Sequence, residues 1–427
     1  MNIPDINLPR VVVIGAGFAG LKLSRKINTN FYQLVLIDKN NFHTFQPLLY
    51  QVASAGLEPD SIAYPIRKIL GRKKNTFFRL AEVQSIQSDE KVISTDIGNL
   101  NYDYLVIASG ADNNFFGNKT IEVNSLPMKS LVDALNMRSK ILGNFEKALN
   151  TNDVELREEF MNFVIVGAGP TGVELAGAIA ELRNKILPKD FPDLDFSKMN
   201  IHLIEASSRV LVSMGSRSSE KAHDYLNSLN VNVYTETFVE NFSNNVVYTS
   251  KGKEFRCDTF IWAAGVSATF PNGIETIKTG VQNRIFVNDR LELGEDIYVL
   301  GDTALVKSDK YPDGLPMLGS VAMQQGAYMA KQFNRKAKNR SWDKFSYNDK
   351  GTMATVGRNL AVVEIGKFKF QGFFAWFVWM FVHLMLLVGF RNRVVVFVNW
   401  TWNYFRYNIG LRLIVRPYKK IRSKKQS

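Results

Sequence analysis

Two stretches of the chain, VVVIGAGFAG at residues 11–20 and FVIVGAGPTG at residues 163–172, repeat one pattern. Each begins with four apolar, mostly β-branched residues, as expected of a buried parallel strand. Each continues with glycines in the spacing G-x-G-x-x-G, which allows a tight turn and brings the backbone close to a pyrophosphate at the start of a helix. The repeat predicts two strand–loop–helix units that can each bind a dinucleotide.

A second strand and an acidic residue follow each glycine loop. After the first loop, a helix and a strand at residues 34–37 lead to Asp38, and after the second loop a helix and the strand Ile201–Ile204 lead to Glu205. A carboxylate at this position accepts hydrogen bonds from ribose hydroxyls and repels a 2′-phosphate. Glu205 therefore favours NADH over NADPH, and Arg209, four residues later, moderates that preference.

The two units together resemble the two-dinucleotide-binding-domain flavoproteins, which include the glutathione reductase-like enzymes. Residues 104–110 and 260–265 are similar to the two ATG-type crossover segments of that family, and residues 297–302 are similar to its second flavin motif. In that family the aspartate of this motif contacts the ribityl chain, and the resemblance implies the same role for Asp302. The resemblance implies non-covalent FAD as cofactor and NADH as substrate.

The cysteine and histidine counts limit the redox centres and metal sites that the chain can contain. The chain has 427 residues, with one cysteine, Cys257, and four histidines. A single cysteine excludes an internal disulfide, a CxxC motif and a cysteine-held iron–sulfur cluster. It also excludes disulfide reductases and sulfide:quinone reductases, which need two cysteines near the flavin. We therefore predict no metal site and a diffusing electron acceptor, either a quinone or a small electron-transfer protein.

Residues 365–427 differ from the rest of the chain in charge. They contain twelve of the 53 Lys and Arg residues, none of the 40 Asp and Glu residues, and four of the six tryptophans. Residues 372–390 are almost continuously apolar, but a single membrane pass would export the more basic flank, against the positive-inside rule. The composition favours amphipathic helices in the interface of an anionic membrane, with part of the surface serving a homodimer. Nucleic acid is disfavoured because the aromatic residues lie in an apolar block.

The whole pattern is similar to the type II NADH:quinone oxidoreductases, single-subunit respiratory enzymes that do not pump protons. Residues 42–53 (FHTFQPLLYQVA), 322–326 (AMQQG) and 376–393 carry this closer resemblance. By this resemblance, the first segment covers the flavin and the second lines the quinone site. The third segment is the membrane anchor. The family's quinone motif usually reads Ala-Gln-x-Ala where this chain has GSVA at residues 319–322, so Ser320 replaces the first glutamine.

The resemblance implies roles for individual residues. Glu174 reaches toward the flavin and the acceptor and handles protons, or it only charges a helix N-terminus. Either Ser320 donates a shorter hydrogen bond to the quinone in place of the missing glutamine, or Gln324, the second catalytic candidate, approaches the quinone carbonyl instead. The quinone residues are Gln51, Ser320, Gln324 and Gln325. The cofactor-binding residues are Gly15, Gly17, Phe18, Ala19, Gly20, Asp38, Lys39, Pro47, Val83, Ser109, Gly110, Gly167, Gly169, Pro170, Thr171, Gly172, Glu174, Glu205, Ala264, Gly265, Asp302 and Gln324.

The predicted fold class is α/β, with two Rossmann-like dinucleotide-binding domains of the glutathione reductase type and a C-terminal amphipathic helical membrane anchor. Residues 1–120 and 286–345 are expected to form the two parts of an FAD-binding domain, the second part with the quinone-site segment. Residues 121–285 are expected to bind NADH, and residues 346–427 to serve membrane anchoring and dimerisation. The N-terminal sequence lacks the pattern of a signal or transit peptide. We therefore expect a monotopic enzyme on the cytoplasmic face of the cell inner membrane.

Two other classes of function share the two nucleotide sites. A reductase of the ferredoxin or rubredoxin type passes electrons to a soluble protein and has no use for an aromatic, cationic tail. An NADH-sensing or assembly protein, similar to apoptosis-inducing factors, binds both nucleotides with little turnover. The tail favours a membrane quinone, ubiquinone or menaquinone, as the acceptor.

Overall fold

The computed structural model describes residues 1–274, 277–406 and 412–414. The chain folds into two compact units, each assembled from three stretches of sequence. The first unit comprises Met1–Thr44, Tyr64–Asp112 and Val266–Asp349, and the second comprises Phe45–Ala63, Asn113–Gly265 and Lys350–Ser427. Short strands at Phe42–Thr44, Ala63–Pro65, Ala111–Asn113 and Val266–Ala268 occur where the sequence passes from one unit to the other.

The first unit is built on a six-stranded sheet. In spatial order its strands are Glu292–Gly294, Ile297–Val299, Tyr104–Ile107, Arg10–Ile14, Gln33–Asp38 and Thr76–Leu80. The first pair is antiparallel and all other pairs are parallel. Val12 and Val35, which are register partners, are fully buried, as the continuous apolar runs of these strands require.

Helices and small sheets complete the first unit. Helix Phe18–Lys26 follows the first glycine loop and packs against helix Gly319–Lys336. The remaining elements are the helix Ile66–Leu70, the antiparallel strands Val83–Gln87, Val92–Thr95 and Leu100–Asn101, the paired strands Ile285–Phe286 and Ala304–Leu305, and the 3-10 turns Val281–Asn283 and Gly301–Thr303.

The second unit is built on a five-stranded sheet in which every pair is parallel. In spatial order its strands are Leu126–Pro127, Thr259–Trp262, Phe163–Val166, Ile201–Ile204 and Asn232–Tyr234. Its longer helices are Leu131–Leu149, Val154–Met161, Pro170–Lys185 and Ser216–Ser228. Smaller elements are the helices Leu49–Ala53, Pro59–Ile62, Lys119–Asn124 and Leu187–Asp190, the 3-10 turns Gln46–Leu48 and Phe196–Lys198, and the antiparallel strands Val239–Ser243, Val246–Thr249 and Glu254–Arg256.

The C-terminal part of the second unit begins with a sheet that the sequence analysis did not anticipate. Strands Thr352–Gly357, Leu360–Ile365 and Phe368–Gln371 form an antiparallel sheet, and helices Phe373–Leu386 and Phe390–Arg406 follow. The first of these helices therefore ends at Leu386, inside the apolar run at residues 372–390, and only Phe390 of that run belongs to the second helix. Gly389, with a φ of +89°, lies at the break, since glycine adopts this conformation without steric cost. Among the helices in the described parts of the chain, none combines the length and the apolar character needed to cross a membrane.

Helix Pro170–Lys185 and strand Thr352–Gly357 pack in unusually close contact at Gly177. A Cβ atom built on Gly177 would lie 1.5 Å from the carbonyl oxygen of Val356. No side chain fits in that space, so the glycine is required for the helix to lie against the strand. This contact positions the helix that begins at the second glycine loop.

We expect Gly177→Ala to destabilise the protein by about 1–3 kcal/mol, because the new methyl group forces the strand away from the helix. The loss is measured as a lower thermal unfolding midpoint. Gly143→Ala is the matched control, since Gly143 also lies inside a helix but a Cβ there meets no atom within 4 Å. That substitution is expected to be neutral or to stabilise by about 0.5–1 kcal/mol. Equal midpoints for the two variants would contradict the packing argument.

Candidate active site

The first glycine loop is shaped by carbonyl groups that leave no room for side chains. Gly15 has a φ of +98°, and a Cβ there would lie 2.3 Å from the carbonyl oxygen of Ala108. A Cβ on Gly20 would lie 1.9 Å from the carbonyl oxygen of Gly15. Gly17 differs, because no atom lies within 4 Å of its Cβ position. The middle of the loop therefore faces open space beside a helix N-terminus, where a phosphate group fits.

The second glycine loop repeats this geometry closely. Gly167 also has a φ of +98°, and its Cβ would lie 2.6 Å from the carbonyl oxygen of Ala263. A Cβ on Gly172 would again lie 1.9 Å from the carbonyl oxygen of the first glycine, and Gly169 again faces open space. Pro170 and Thr171, in the first turn of the following helix, are exposed. The loop thus offers a second place for a pyrophosphate.

Each acidic residue predicted to bind ribose is hydrogen-bonded to its own glycine loop. Asp38 accepts the N–H of Ala16 at 2.6 Å, and Glu205 accepts the N–H of Ala168 at 2.6 Å. The other oxygen of each carboxylate accepts the N–H two residues further along the chain, at 2.7 Å and 2.8 Å respectively. Burial raises the pKa of Asp38, and these N–H donors oppose that rise. Both acids therefore fix the loop as well as facing the predicted nucleotide.

Further predicted flavin residues lie at the same edge of the first sheet. Ser109 and Gly110 follow the strand Tyr104–Ile107, and Asp302 follows the adjacent parallel strand Ile297–Val299. Thr303 joins the two turns, since its hydroxyl accepts the N–H of Gly110 at 2.9 Å and donates to the Gly110 carbonyl at 3.1 Å. Ligands of open α/β sheets bind at the carboxyl ends of the strands. This edge fits a dinucleotide cofactor such as FAD.

The remaining cofactor-binding candidates are distributed over both units. Phe18 and Ala19 begin the helix after the first loop, and the ring of Phe18 packs edge-on against His43 with centroids 5.3 Å apart. Lys39 is exposed beside Asp38, and Val83 begins a strand of the first unit. In the second unit Pro47 lies in the turn Gln46–Leu48, and Ala264 and Gly265 follow the strand Thr259–Trp262.

The glutamines of the predicted quinone motif make hydrogen bonds within the first unit. Gln325 is buried, and its Oε1 accepts the N–H of Gly301 at 2.6 Å. Gln324 binds the backbone of Asn348 twice, donating from Nε2 at 2.9 Å and accepting at Oε1 at 3.0 Å. Gln325 thus supports the turn that carries Asp302. Gln324 must release Asn348 before its amide can bind a ligand.

The other two quinone candidates lie in different units. Ser320 Oγ is 3.2 Å from the hydroxyl oxygen of Tyr347 in the first unit. Gln51 belongs to the second unit, where its Nε2 donates to the Tyr50 hydroxyl at 2.9 Å and its Oε1 accepts the indole N–H of Trp400 at 2.8 Å. Gln51 therefore connects the segment at residues 45–63 to the C-terminal helices.

A cavity of about 150 Å³ in the second unit brings Gln51 and Glu174 together. Its walls come from the segment at residues 45–63, helix Pro170–Lys185, the C-terminal sheet and both C-terminal helices. The residues that matter for its chemistry are Tyr50, Gln51, Glu174, Glu181, Thr355, Arg358, Trp376, Trp379, Trp400 and Tyr404. Planar aromatic walls with a few polar groups are typical of a small-molecule site.

Glu174 is the buried carboxyl group of this cavity. Only 7% of the residue is exposed, and its Oε1 accepts the N–H of Thr355 at 3.4 Å. Burial raises the pKa of Glu174 to about 8, and the Thr355 amide and the Trp379 indole oppose the rise. The residue lies beyond the first turn of its helix, so it is not a solvated charge at a helix N-terminus. A carboxyl with this pKa can exchange protons at physiological pH.

Glu181, Tyr50 and Arg358 are among the lining residues that the sequence did not identify. Glu181 follows Glu174 by seven residues, a spacing that places both on one helical face and was therefore detectable. Tyr50 stands within the predicted flavin cover but carried no signal of a cavity role. Arg358 has no sequence signal, because its place depends on how the C-terminal sheet packs.

The C-terminal helices expose a broad apolar surface. In the first helix Ala375, Trp379 and His383 form the buried stripe, and the His383 ring nitrogen Nδ1 lies 2.7 Å from the Trp379 carbonyl oxygen. Burial lowers the pKa of His383 to about 4. The exposed apolar side chains, which we call the apolar face, are Phe373, Phe374, Phe377, Phe381, Met385, Leu386, Phe390, Val394, Phe397, Val398, Trp402 and Phe405. An apolar patch of this kind marks an interaction surface.

Comparison with known families identifies two matching regions. The family described as pyridine nucleotide-disulphide oxidoreductase matches residues 9–326. The family described as NDH2 C-terminal domain matches residues 350–406. Within the described parts of the chain, no group of three or more His, Cys, Asp or Glu residues could hold a metal ion.

Individual relatives match over most of their length. The type II NADH:quinone oxidoreductase Ndh of Mycobacterium tuberculosis is 35% identical over 412 residues, covering 92% of this chain and 87% of the relative. A mitochondrial internal alternative NAD(P)H-ubiquinone oxidoreductase A1 of Solanum tuberosum is 29% identical over 432 residues, covering 92% and 86%. The solved structure of NDH2 from Plasmodium falciparum in complex with NADH has a TM-score of 0.87 at 22% identity, covering 96% of this chain and all of that one.

The raised pKa of Glu174 makes a prediction about stability. Glu174 binds its proton more tightly in the folded protein than in the unfolded chain. The free energy of unfolding therefore falls as the pH rises from the ordinary pKa of the group, 4.5, to about 8. Glutamine does not ionise, so Glu174→Gln lacks this loss. We expect the unfolding midpoint of the variant to rise relative to the parent between pH 5 and pH 8. The exposed residue Glu155 provides the control, Glu155→Gln, and parallel curves for all three proteins would refute the prediction.

Proposed function

The chain belongs to the type II NADH:quinone oxidoreductase family, and we propose that it oxidises NADH and reduces a membrane quinone without pumping protons. The observation that carries the proposal is the duplicated nucleotide-binding edge, with its matching glycine φ angles and matching acid-to-loop hydrogen bonds. When bound, FAD supplies the chemistry that the side chains lack, since it accepts hydride from NADH and gives two electrons to a quinone.

The residues of the chain bind and orient the two nucleotides. We propose that the loop of Gly15 and the carboxylate of Asp38 hold FAD, with Asp302 at the adjacent strand end. The loop of Gly167 and the carboxylate of Glu205 hold NADH in the second unit. The other cofactor residues named from the sequence are proposed contacts at these two edges, and the predicted domain boundaries, including residues 121–285 for NADH, are proposed with them.

The cavity of the second unit suits the quinone ring. Its tryptophans provide flat apolar walls, and the Gln51 amide and the Tyr50 hydroxyl provide polar groups for the quinone oxygens. Reduction of a quinone by NADH takes up one proton from solvent, because hydride carries one proton and two electrons and hydroquinone carries two protons. We propose that Glu174 delivers that proton. In the first unit, Ser320, Gln324 and Gln325 are proposed separately as quinone-binding residues, from the sequence motif.

The apolar face supports peripheral attachment to a membrane. Aromatic and aliphatic side chains on both C-terminal helices are exposed, and the basic residues on or next to these helices include Lys367, Lys369, Arg391 and Arg393. Such surfaces partition into the interface of anionic bilayers. The cluster of basic residues from Arg416 to Lys425 lies outside the described residues. We propose monotopic attachment on the cytoplasmic face of the cell inner membrane, and a homodimer formed through part of the same face.

We expect the purified protein with bound FAD to oxidise NADH rapidly when a short-chain ubiquinone or a menaquinone analogue is present. The flavin absorbance should bleach with NADH and return when the quinone is added. Turnover should increase when the quinone is supplied in anionic vesicles rather than in zwitterionic ones, because the basic and apolar tail binds the anionic surface. If NADH bleaches the flavin and neither quinone restores it, the acceptor is a protein or the role is sensing.

The position of Glu205 predicts the choice of nucleotide. Glu205→Gln removes the negative charge that repels a 2′-phosphate, so we expect the ratio of kcat/KM for NADPH over NADH to increase about tenfold. The KM for NADH should also rise. The two oxygens of Glu205 each accept a backbone N–H, and an amide keeps only one such oxygen. Glu220→Gln, on an exposed site of the same unit, is the control. An unchanged ratio would refute the assignment.

A further inference from the structure

Glu181 stands in surroundings that repeat those of Glu174. The two residues lie seven positions apart on helix Pro170–Lys185 and both line the cavity. The N–H of Thr355 donates to Glu174 at 3.4 Å, and the N–H of Arg358 donates to Glu181 at 2.5 Å. The close contact at Gly177 lies between these two hydrogen bonds. The C-terminal sheet thus holds two carboxyl groups at two points along one cavity wall.

The two carboxyl groups differ in their access to water. Glu174 is buried, whereas Glu181 is partly exposed. Glu181 Oε1 lies 3.0 Å from the position that a Cβ would occupy on Gly357, so the strand leaves room for the carboxyl at this end of the cavity. Of the two residues, Glu181 therefore lies nearer to solvent, and Glu174 lies deeper in the same cavity wall.

The proposed reaction requires such a connection. One proton per NADH must come from solvent, and a buried Glu174 that gives up its proton must regain it before the next turnover. The cavity, at about 150 Å³, exceeds the roughly 10–15 Å³ that one water needs, so water fits beside its polar groups. The Tyr50 hydroxyl in the cavity wall is a further group through which a proton can pass.

We propose that Glu181 is a proton-relay residue that takes a proton from solvent and passes it through the cavity to Glu174. The inference rests on the proposed reduction of quinone. Glu181 does not itself touch the quinone. It acts only by supplying a proton to Glu174, so it is not a catalytic residue. Each relay step moves one proton and leaves the electrons to the flavin and the quinone.

The charged and titratable groups around Glu181 are compatible with this role. Glu174 faces the cavity from the same helix, Tyr50 from the segment at residues 45–63, Arg358 from the C-terminal sheet and Tyr404 from the last helix. The guanidinium carbon of Arg358 lies 3.9 Å from the centre of the Tyr404 ring. Burial raises the pKa of Glu181, and the Arg358 amide and guanidinium oppose the rise. Burial thus favours the protonated form of Glu181, as it does for Glu174.

The test compares a quinone with ferricyanide, an acceptor that takes electrons and no protons. In the FAD-bound enzyme, we expect Glu181→Gln to lower the rate with decylubiquinone at least tenfold at pH 8 and much less at pH 6, where solvent protons are a hundredfold more concentrated. The ferricyanide rate should stay within twofold of the parent at both pH values. Glu181→Asp, which keeps the carboxyl, should restore most of the quinone rate at pH 8, and Glu155→Gln is the control.

Several outcomes would overturn the relay. A quinone rate in Glu181→Gln that follows the parent across pH would do so, as would an equal loss with ferricyanide, which indicates a structural role. If Glu181→Gln fails to bind FAD, Glu181→Ala takes its place, and a quinone rate in that variant that follows the parent across pH, with normal ferricyanide turnover, overturns the proposal. A parent enzyme that reduces ferricyanide and no quinone would instead refute the proposed function itself.

Discussion

A carboxylate that accepts a backbone N–H from a glycine loop is the interaction on which both nucleotide edges depend. Asp38 and Glu205 each join the end of one strand to the loop that follows its neighbour. The loop is thereby held with its middle glycine toward open space and its first and third glycines against carbonyl groups. Without that link, the first turn of each helix would be free to move away from the edge at which a pyrophosphate binds.

Sequence reasoning succeeded where local spacing determines the structure. The predicted strands form around both glycine loops and pair in parallel with their neighbours. The acids and the segments that end in Gly110, Gly265 and Asp302 lie at the carboxyl ends of these strands, as the resemblance implies. These features are detectable because each depends on residues close together in the chain. The membership of the type II NADH:quinone oxidoreductase family is likewise confirmed.

The cavity could not be predicted in the same way. Its walls come from segments separated by up to about 350 residues, as the hydrogen bond between Gln51 and Trp400 illustrates. The C-terminal sheet that places Arg358 beside Glu181 had no clear signal, since its strands precede a stronger apolar pattern. The burial that raises the pKa of Glu174 is a property of this assembly and not of the helix alone. For the glutamines at residues 324 and 325, the sequence indicates a quinone contact, whereas the structure shows hydrogen bonds to the backbone of the first unit.

The division of the apolar run at Gly389 has a consequence for the synthesis of the chain. Before they fold, residues 372–390 form a continuous hydrophobic stretch that the membrane-insertion machinery can bind as it leaves the ribosome. In the folded chain, the sheet at residues 352–371 packs against the first helix of that stretch and buries Ala375. Because translation proceeds from the N-terminus, the residues of this sheet leave the ribosome before the stretch does. The order of the elements therefore lets folding of the stretch onto the sheet compete with its capture by the insertion machinery.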